Sequence, residues 1–157
     1  IDGMPVLDME YTEGLYVGYR WYDREGGVLF PFGYGLSYTT FEYGEPRLDK
    51  KSMTEKGTVT VTVPVTNTGK VAGSEVVQLY IADDEASVDR PAKELKGFAK
   101  VALAPGQKAD VSFTINREAL SFFDAGKHAW VAEKGTFQAL VAASAQDIRG
   151  TVSFELK

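Results

Sequence analysis

The stretch Thr58-Val59-Thr60-Val61-Thr62-Val63-Pro64-Val65 places a valine at every second position. Successive side chains of a β-strand point to opposite faces, so this alternation predicts a strand with one buried face. Pro64 has no backbone N–H to give to a neighbouring strand. We therefore expect this strand to meet a sheet edge or a bulge at Pro64.

The same period of two recurs downstream, in short runs separated by turn signals. About seven short strands with a turn roughly every 8–15 residues are typical of an all-β, immunoglobulin or fibronectin III-like β-sandwich. Asn116 is expected to cap a single helical turn over residues 116–120. The runs are Val77/Leu79/Ile81, Leu95 to Leu103, Val111/Phe113/Ile115, Trp130-Val131, Phe137/Ala139/Val141 and Val152/Phe154/Leu156. Residues predicted to fill the core are Val61, Val63, Val77, Leu79, Val111, Phe113, Val152 and Phe154.

Residues 1–45 have a different composition, rich in aromatic residues and glycine. Neither a helical nor a strand period runs through them for long, so they do not predict a core of their own. We interpret residues 1–45 as an extended strap held by aromatic side chains, and residues 46–157 as the sandwich domain. The aromatic residues are Tyr11, Tyr16, Tyr19, Trp21, Tyr22, Phe30, Phe32, Tyr34, Tyr38, Phe41 and Tyr43.

Composition limits the classes of function. The chain has 17 Lys and Arg against 22 Asp and Glu, a net charge of −5, which argues against nucleic acid and anionic membranes as partners. It has no cysteine, so it can form neither a disulfide nor a thiolate metal site. The first residues, Ile1 to Pro5, include no initiator methionine and no export signal, which suggests a fragment. The sequence leaves the compartment open, with a secreted or periplasmic location favoured.

Two quoted stretches carry a family resemblance. The first is Glu13-Gly14-Leu15-Tyr16-Val17-Gly18-Tyr19-Arg20-Trp21-Tyr22-Asp23, followed by Leu29-Phe30-Pro31-Phe32-Gly33-Tyr34-Gly35-Leu36-Ser37-Tyr38-Thr39-Thr40-Phe41. The second is Arg90-Pro91-Ala92-Lys93-Glu94-Leu95-Lys96-Gly97-Phe98, leading to Leu103-Ala104-Pro105-Gly106. In this order they resemble the C-terminal part of family 3 glycoside hydrolases of the β-glucosidase type, and the resemblance covers about residues 9–157.

The resemblance implies a larger enzyme. Its first domain is (β/α)₈-like, its second is an α/β sandwich whose tail is the strap, and its third is the fibronectin III-like domain. It implies retaining, exo-acting hydrolysis of terminal β-D-glucosides, with β-xylosides as the second choice, by two carboxylates and no cofactor. Both carboxylates belong to the upstream domains, and no residue here matches either motif. We therefore assign no catalytic residue and expect this chain to stabilise its partners, the upstream catalytic domains, which bind the β-glycoside.

Candidate site residues come mainly from the strap. We expect interdomain packing by Tyr16, Tyr19, Arg20, Trp21, Phe30, Phe32 and Tyr34, because large amphipathic rings bury well between domains. Sugar stacking on Trp21, Tyr22 or Tyr34 is the alternative. Asp23 and Glu13 are expected to help hold the strap, and Arg20 is expected to pair with a carboxylate.

Other titratable residues suggest no site. The carboxylates of Asp83, Asp84, Glu85 and Asp89 are interpreted as a solvated loop, because the spacing of a Ca²⁺ loop is absent. His128, the single histidine, is interpreted as structural in a strand segment, and no metal site is predicted.

Two other classes of protein stay open. A non-catalytic carbohydrate-binding or adhesive sandwich predicts a surface row of aromatic residues, with Tyr80 and Trp130 as the main candidates and Trp130 alternatively in the core. The other class is a structural immunoglobulin-like module of an unrelated surface protein. That interpretation leaves the motifs of the strap unexplained.

Overall fold

A computed structural model describes residues 9–157, which form a β-sandwich with a segment wrapped on its outside. The prediction of an all-β, fibronectin III-like fold is confirmed. Every run of period two in the sequence corresponds to a strand. The helices are α1 (Tyr19–Glu25) and α2 (Arg117–Leu120). The strands are β1 (Phe41–Tyr43), β2 (Arg47–Leu48), β3 (Ser52–Met53), β4 (Val59–Asn67), β5 (Gly73–Asp83), β6 (Glu94–Leu103), β7 (Lys108–Ile115), β8 (Phe122–Asp124), β9 (Ala129–Val131), β10 (Gly135–Ser144) and β11 (Asp147–Leu156).

Two sheets face each other across the core. In the first sheet, β4 pairs antiparallel with β7 on one side and with the short strands β1 and β2 on the other. The second sheet has the order β3-β11-β10-β5-β6, antiparallel except for the β3–β11 pair. Strands β8 and β9 form a separate hairpin.

The core follows the alternation in the sequence. Strand β4 is buried at every second residue, so the valines from Val59 to Val65 fill the space between the sheets. Burying one such side chain contributes roughly 1.5–3 kcal/mol relative to leaving it in water. Seven of the eight predicted core residues are buried, and the eighth, Val152, is half-buried against them.

The expectation of an edge or a bulge at Pro64 was wrong. Pro64 pairs with Asp110 of β7 in unbroken register, and β4 is also paired on its other side. The backbone N and O of one residue point to the same side of a strand. The Pro64 carbonyl accepts a hydrogen bond from Gly44 N at 2.8 Å, so its missing donor faces the junction between β1 and β2.

The predicted helical turn is confirmed: the Asn116 side chain accepts a hydrogen bond from Ala119 N at 3.1 Å at the start of α2. The strap is the extended segment that we expected except for one short helix. It contains α1, which begins after Gly18 (φ 59°) and ends at Gly26 (φ 73°) and has no buried residue. So short a helix is not stable by itself, and contacts to the sandwich must hold it.

The end of the strap joins the first sheet. Phe41 and Tyr43 pair with Asn67 and Val65 of β4, and both rings pack against the core. By their hydrogen bonds, residues 41–43 therefore belong to the sandwich, although the sequence assigned them to the strap. The domain boundary at residue 45 itself stays a prediction. Within the described part of the chain, no helix is both long enough and apolar enough to span a bilayer.

Candidate interdomain face

The helix α1 is attached to the outer face of the second sheet through Tyr19. The ring of Tyr19 meets the ring of Tyr80 edge-on, with centroids 5.6 Å apart, and lies 5.5 Å from the ring of Phe32. Its hydroxyl accepts a hydrogen bond from Leu95 N at 2.8 Å. Tyr80 is fully buried beneath this contact and donates to Gln78 Oε1 at 2.6 Å. One side chain of the strap therefore covers an aromatic residue that the sheet alone would leave exposed.

Two ion pairs fix the helix beside Tyr19. Lys93 Nζ lies 2.5 Å from Asp23 Oδ2, and their side chains are 12% and 7% exposed. Arg20 Nη2 lies 3.3 Å from Glu94 Oε1. Lys93 also lies over the Tyr80 ring, with Nζ 5.6 Å from the centroid. Charges this well buried are stable only in pairs, so these contacts determine the position of α1.

Arg90 connects this contact to the sandwich. Its guanidinium lies 2.9 Å from Asp83 Oδ2 and 2.7 Å from Glu94 Oε2, and its side chain is 6% exposed. It also donates to the Leu120 carbonyl at 3.3 Å and lies over the ring of Phe122. Arg90 therefore joins the ends of β5 and β6 to α2 and β8.

The electrostatics at Glu94 follow from its three cationic neighbours. Burial on its own raises the pKa of the Glu94 carboxyl. The hydrogen bond from Arg90 and the charges of Lys96, Arg90 and Arg20 outweigh burial, and the pKa is held below its ordinary value. Glu94 is therefore a carboxylate at neutral pH, which is the charge that Arg20 needs in order to hold α1.

A second attachment lies before α1. Tyr16 donates to Asp89 Oδ1 at 2.7 Å and to the Arg90 carbonyl at 3.3 Å. The hydrogen bond to Asp89 raises the pKa of the Tyr16 hydroxyl, because removing its proton would leave two anions in contact. The guanidinium of Arg24 lies over the Tyr16 ring at 4.8 Å. Tyr16 is thus attached to the loop that follows β5, and Arg24 at the end of α1 packs on its ring.

A third attachment lies after α1, where the chain crosses the second sheet. Ala145 N donates to the Phe32 carbonyl at 2.8 Å. Gly33 has φ 81°, and a Cβ there would lie 1.9 Å from Gln78 Nε2. Any residue with a side chain would strain the backbone and would displace the Gln78 amide, which is hydrogen-bonded to Tyr80 and to the Ala143 carbonyl. Further along, Thr39 donates to Asn67 Oδ1 at 2.6 Å.

The other side of the strap carries large apolar side chains with no cover. Exposure ranges from 42% for Tyr22 to 102% for Tyr38. Phe30 and Tyr34 touch each other, with centroids 5.4 Å apart, but remain 64% and 51% exposed. We call this set the open strap face; its members are Trp21, Tyr22, Leu29, Phe30, Phe32, Tyr34, Leu36 and Tyr38. Exposed apolar side chains in such number are typical of a surface that meets another protein domain.

Comparisons with known proteins agree with this arrangement. Residues 75–145 match the model of the fibronectin type III-like domain. A β-glucosidase of Bacteroides ovatus is 58% identical over 150 residues, which are 95% of this chain and 20% of that protein. A β-xylosidase of Formosa agariphila is 50% identical over 98% of this chain and 21% of its own length. The crystal structure of a family 3 β-glucosidase of Bifidobacterium adolescentis superposes with a TM-score of 0.84, at 38% identity, over 92% of this chain and 21% of that one.

This chain corresponds to the C-terminal part of the family 3 β-glucosidases. It spans about a fifth of the length of the curated relatives that it matches. The resemblance stated from the sequence is thereby confirmed, and the similarity extends over the strap as well as the fibronectin III-like domain.

The seven residues predicted to pack between domains divide into two groups. Tyr16, Tyr19 and Arg20 turn towards the sandwich and attach the strap to it. The others, Trp21, Phe30, Phe32 and Tyr34, belong to the open strap face, and Phe32 also contacts the ring of Tyr19. What covers this second group stays a prediction, as does the alternative of a sugar site at Trp21, Tyr22 or Tyr34.

The three sugar-site candidates do not converge on one cavity. Tyr22 lines a hollow of about 220 Å³ with Phe30 and Phe32, whereas Tyr34 lines a separate open cleft of about 830 Å³ between the strap and the sheet. Trp21 lines neither of them. The residues that would have to act on one sugar are thus divided between different surfaces.

Several sequence interpretations need correction. Tyr80 is not a surface aromatic, because Tyr19 covers it, and Trp130 is not in the core but 65% exposed. Asp83 is not solvated, because Arg90 pairs with it. His128 lies in the turn between β8 and β9 at φ 49°, not in a strand.

Asp23 and Arg20 of the strap pair with Lys93 and Glu94 of the sandwich, as their expected strap-holding roles require. These partners, and Arg90, were missed as site residues. They lie in the quoted motif that begins at Arg90, which was the one signal that could have drawn attention to them. Among residues 9–157, no three His, Asp or Glu side chains are grouped closely enough to hold a metal ion.

Proposed function

We propose that this chain is the C-terminal structural portion of a retaining, exo-acting β-glycosidase that hydrolyses terminal β-D-glucosides. In that enzyme it stabilises the catalytic domains upstream. The observation that carries the proposal is the two-sided strap: charged and hydroxyl groups attach one side to the sandwich, and uncovered aromatic rings occupy the other.

The two sides of the strap have different physical roles. Ion pairs and hydrogen bonds to Lys93, Glu94 and Leu95 have directional geometry, so they determine where the strap lies. The exposed rings of Phe30 and Tyr34 have no such partner, and their exposure to water is unfavourable. Covering them with a neighbouring domain would contribute in proportion to the apolar area that is buried. The upstream domains of the same protein are the occupant that we propose.

We propose that the catalytic carboxylates lie in the upstream domains and that this chain alone does not hydrolyse glycosides. Retaining hydrolysis needs two carboxyl groups about 5 Å apart, a nucleophile and an acid/base. Here Asp23, Asp83 and Glu94 are each held by a cation of the strap attachment, which gives these carboxylates a structural role.

Specificity for β-glucosides is proposed first and for β-xylosides second. The relatives include both a β-glucosidase at 58% identity and a β-xylosidase at 50%. Relatives named as a β-glucosidase and as a β-xylosidase therefore share this C-terminal architecture. This supports the proposal that residues outside this chain select the sugar.

We propose the division of the chain made from its sequence: residues 1–45 are the tail of the second domain, and residues 46–157 are the sandwich. Strand β1 then acts as the point where the strap joins the first sheet.

The proposal is tested by measuring release of nitrophenol from p-nitrophenyl β-D-glucoside. The 157-residue chain alone is expected to give no turnover. A chimera is then made in which this chain replaces the corresponding residues of the Bacteroides ovatus β-glucosidase, and it is expected to retain that activity. Turnover by the pure chain, abolished by substituting one of its own carboxylates, would contradict the proposal, and so would an inactive but folded chimera.

A further inference from the structure

A second group of exposed aromatic residues lies away from the strap, on the β8–β9 hairpin. Phe123 and Trp130 are direct cross-strand partners, with centroids 5.8 Å apart and rings at 70° to each other. They are 51% and 65% exposed. In an edge-on aromatic pair the two rings hold each other in place, and one ring face stays free to contact a ligand.

Contacts from Arg90, from α2 and within its own turn hold the hairpin in place. Phe122, on its opposite face, lies under the guanidinium of Arg90, at 5.5 Å. Arg117 Nη2 donates to the Trp130 carbonyl at 3.4 Å. Asp124 closes the hairpin turn, with Lys127 Nζ at 2.7 Å and Lys127 N at 3.0 Å. A ligand that binds to the exposed rings therefore has little side-chain or loop freedom to remove.

Beside Trp130 the surface is concave. A cleft of about 840 Å³ lies between this residue, α2 and the ends of β6 and β7. Its polar lining includes an amide, a hydroxyl, a carboxylate and two cations: Asn116, Thr114, Glu118, Arg117 and Lys96. A concave surface with one aromatic wall and several polar groups is typical of a binding site for a small organic ligand.

The charges of the cleft are balanced. Lys96 Nζ lies 3.5 Å from Glu94 Oε2, and Arg117 Nε lies 3.7 Å from Glu55 Oε2. Glu94 also pairs with Arg20 and Arg90, so the balance holds for the whole cluster and not for Lys96 alone. Four cations, Lys96, Arg117, Arg20 and Arg90, are matched by four carboxylates, Glu94, Glu55, Asp83 and Glu118. This balance disfavours phosphate, nucleic acid and acidic polysaccharide, and it fits an uncharged ligand that has many hydroxyl groups.

We propose that the cleft beside Trp130 binds a neutral oligosaccharide made of flat, equatorially substituted pyranose rings, such as a β-linked glucan. The apolar C–H face of one ring stacks on the indole of Trp130. Its equatorial hydroxyl groups meet the side chains of Asn116, Arg117 and Glu118. This site needs no catalytic residue, so it goes beyond the proposed function and does not depend on it.

The test measures binding of cellohexaose and laminarihexaose to the 157-residue chain by titration calorimetry. The unaltered chain is expected to bind at least one of them, and Trp130→Ala to bind at least about tenfold more weakly. The matched control is Trp21→Ala, which removes the other exposed tryptophan, on the strap, and is expected to leave the affinity unchanged. Melting temperatures check that each variant is folded. If Trp130→Ala does not fold, Phe123→Ala and Trp130→Phe provide the same comparison.

Three results would overturn the proposal. The first is no binding of either hexasaccharide by the unaltered chain. The second is equal affinity in folded Trp130→Ala, or in folded Phe123→Ala and Trp130→Phe where Trp130→Ala does not fold. The third is preferential binding of polygalacturonate, which would identify the cleft as an anion site. None of these results affects turnover by the chimera, so failure here and failure of the proposed function are distinguishable.

Discussion

Asp23 of the strap and Lys93 of the sandwich form an ion pair of 2.5 Å in which both side chains are almost completely buried. The two residues are far apart in the sequence, and one lies on α1 while the other precedes β6. This pair, together with Tyr19 over Tyr80, connects the strap to the sheet.

Breaking this pair on one side is expected to release α1. Lys93→Met leaves Asp23 as an unpaired buried carboxylate, which should weaken the docking of α1 by roughly 3 kcal/mol. Hydrogen exchange at Gly26 N, which is bonded to Tyr22 O, measures that docking. The single variant Asp23→Asn should also weaken the docking of α1. The double variant Asp23→Asn/Lys93→Met should lose less docking free energy than the sum of the losses in the two single variants. Strictly additive losses would contradict an interaction between the two residues.

The hydroxyl of Tyr19 provides a second test of docking. Tyr19→Phe keeps the ring on Tyr80 but leaves Leu95 N without its acceptor, which should cost about 1–3 kcal/mol. Tyr38→Phe is the matched control, since Tyr38 is fully exposed. Urea denaturation and hydrogen exchange compare the two variants with the unaltered chain. Equal effects of both variants would show that the bond to Leu95 contributes nothing.

Acid should weaken the network around Glu94. Its pKa is held below the ordinary value in the folded chain, so its stabilisation is present above the unfolded value, about 4.3, and is lost as the pH falls through the folded value. The difference in stability between the unaltered chain and Glu94→Gln should therefore be largest near neutral pH and shrink in acid. Melting curves between pH 7 and about 3 measure this difference.

Glu75 is the internal control for the acid experiment. Burial raises its pKa despite the hydrogen bond from Tyr43, so its ionised form opposes folding, and protonation adds stability as the pH falls. Glu75→Gln should therefore change the pH profile in the opposite direction from Glu94→Gln. Parallel profiles for the two variants would contradict these assignments.

The core prediction concerns Phe113, which is 9% exposed and packs beneath Gly97. Phe113→Ala should cost roughly 3–5 kcal/mol of unfolding free energy, because it leaves a cavity between the sheets. Phe98→Ala, which removes a ring that is 71% exposed, should change the stability by less than about 0.5 kcal/mol. Urea denaturation measures both. A loss below about 1 kcal/mol at Phe113 would contradict its position in the core.

The position of the domain boundary can be tested by truncation. A chain of residues 37–157 keeps β1, with Phe41 and Tyr43 on the core and Thr39 bound to Asn67. A chain of residues 46–157 loses all three contacts and should melt at a lower temperature. Equal melting temperatures for the two chains would support the boundary at residue 45 and contradict a structural role for β1 in the sandwich.

Sequence reasoning succeeded where one physical rule determines the structure. The period of two predicts β4 because every second valine can face the core only if the chain is extended. The same rule describes β5 incompletely, because β5 is buried on both faces from Val77 to Ala82. Tyr80, expected at the surface by alternation with Leu79 and Ile81, is buried because Tyr19 covers it. Alternation cannot predict this cover from a distant segment.

The strap could be recognised from its sequence, but its structure could not be predicted. The side of α1 that meets the sandwich carries the charged Asp23 beside Tyr19, while the apolar Trp21 faces solvent. Hydrophobicity therefore does not follow burial along α1, and no hydrophobic period predicts the helix. Its ion pairs join residues that are about seventy positions apart, such as Arg20 and Glu94. Pairings of that kind depend on the tertiary fold, which the pattern of a single sequence does not contain.

The central claim is that the open strap face packs against catalytic domains upstream. It is tested most directly by the half-life of thermal inactivation of the chimera with the Bacteroides ovatus β-glucosidase. Phe30→Ala/Tyr34→Ala should shorten that half-life at least about fivefold, while Phe98→Ala, outside the open strap face, should leave it unchanged. The double variant should not alter the melting temperature of the 157-residue chain, where both rings are exposed. Equal half-lives for the chimera with and without the two rings would contradict the claim.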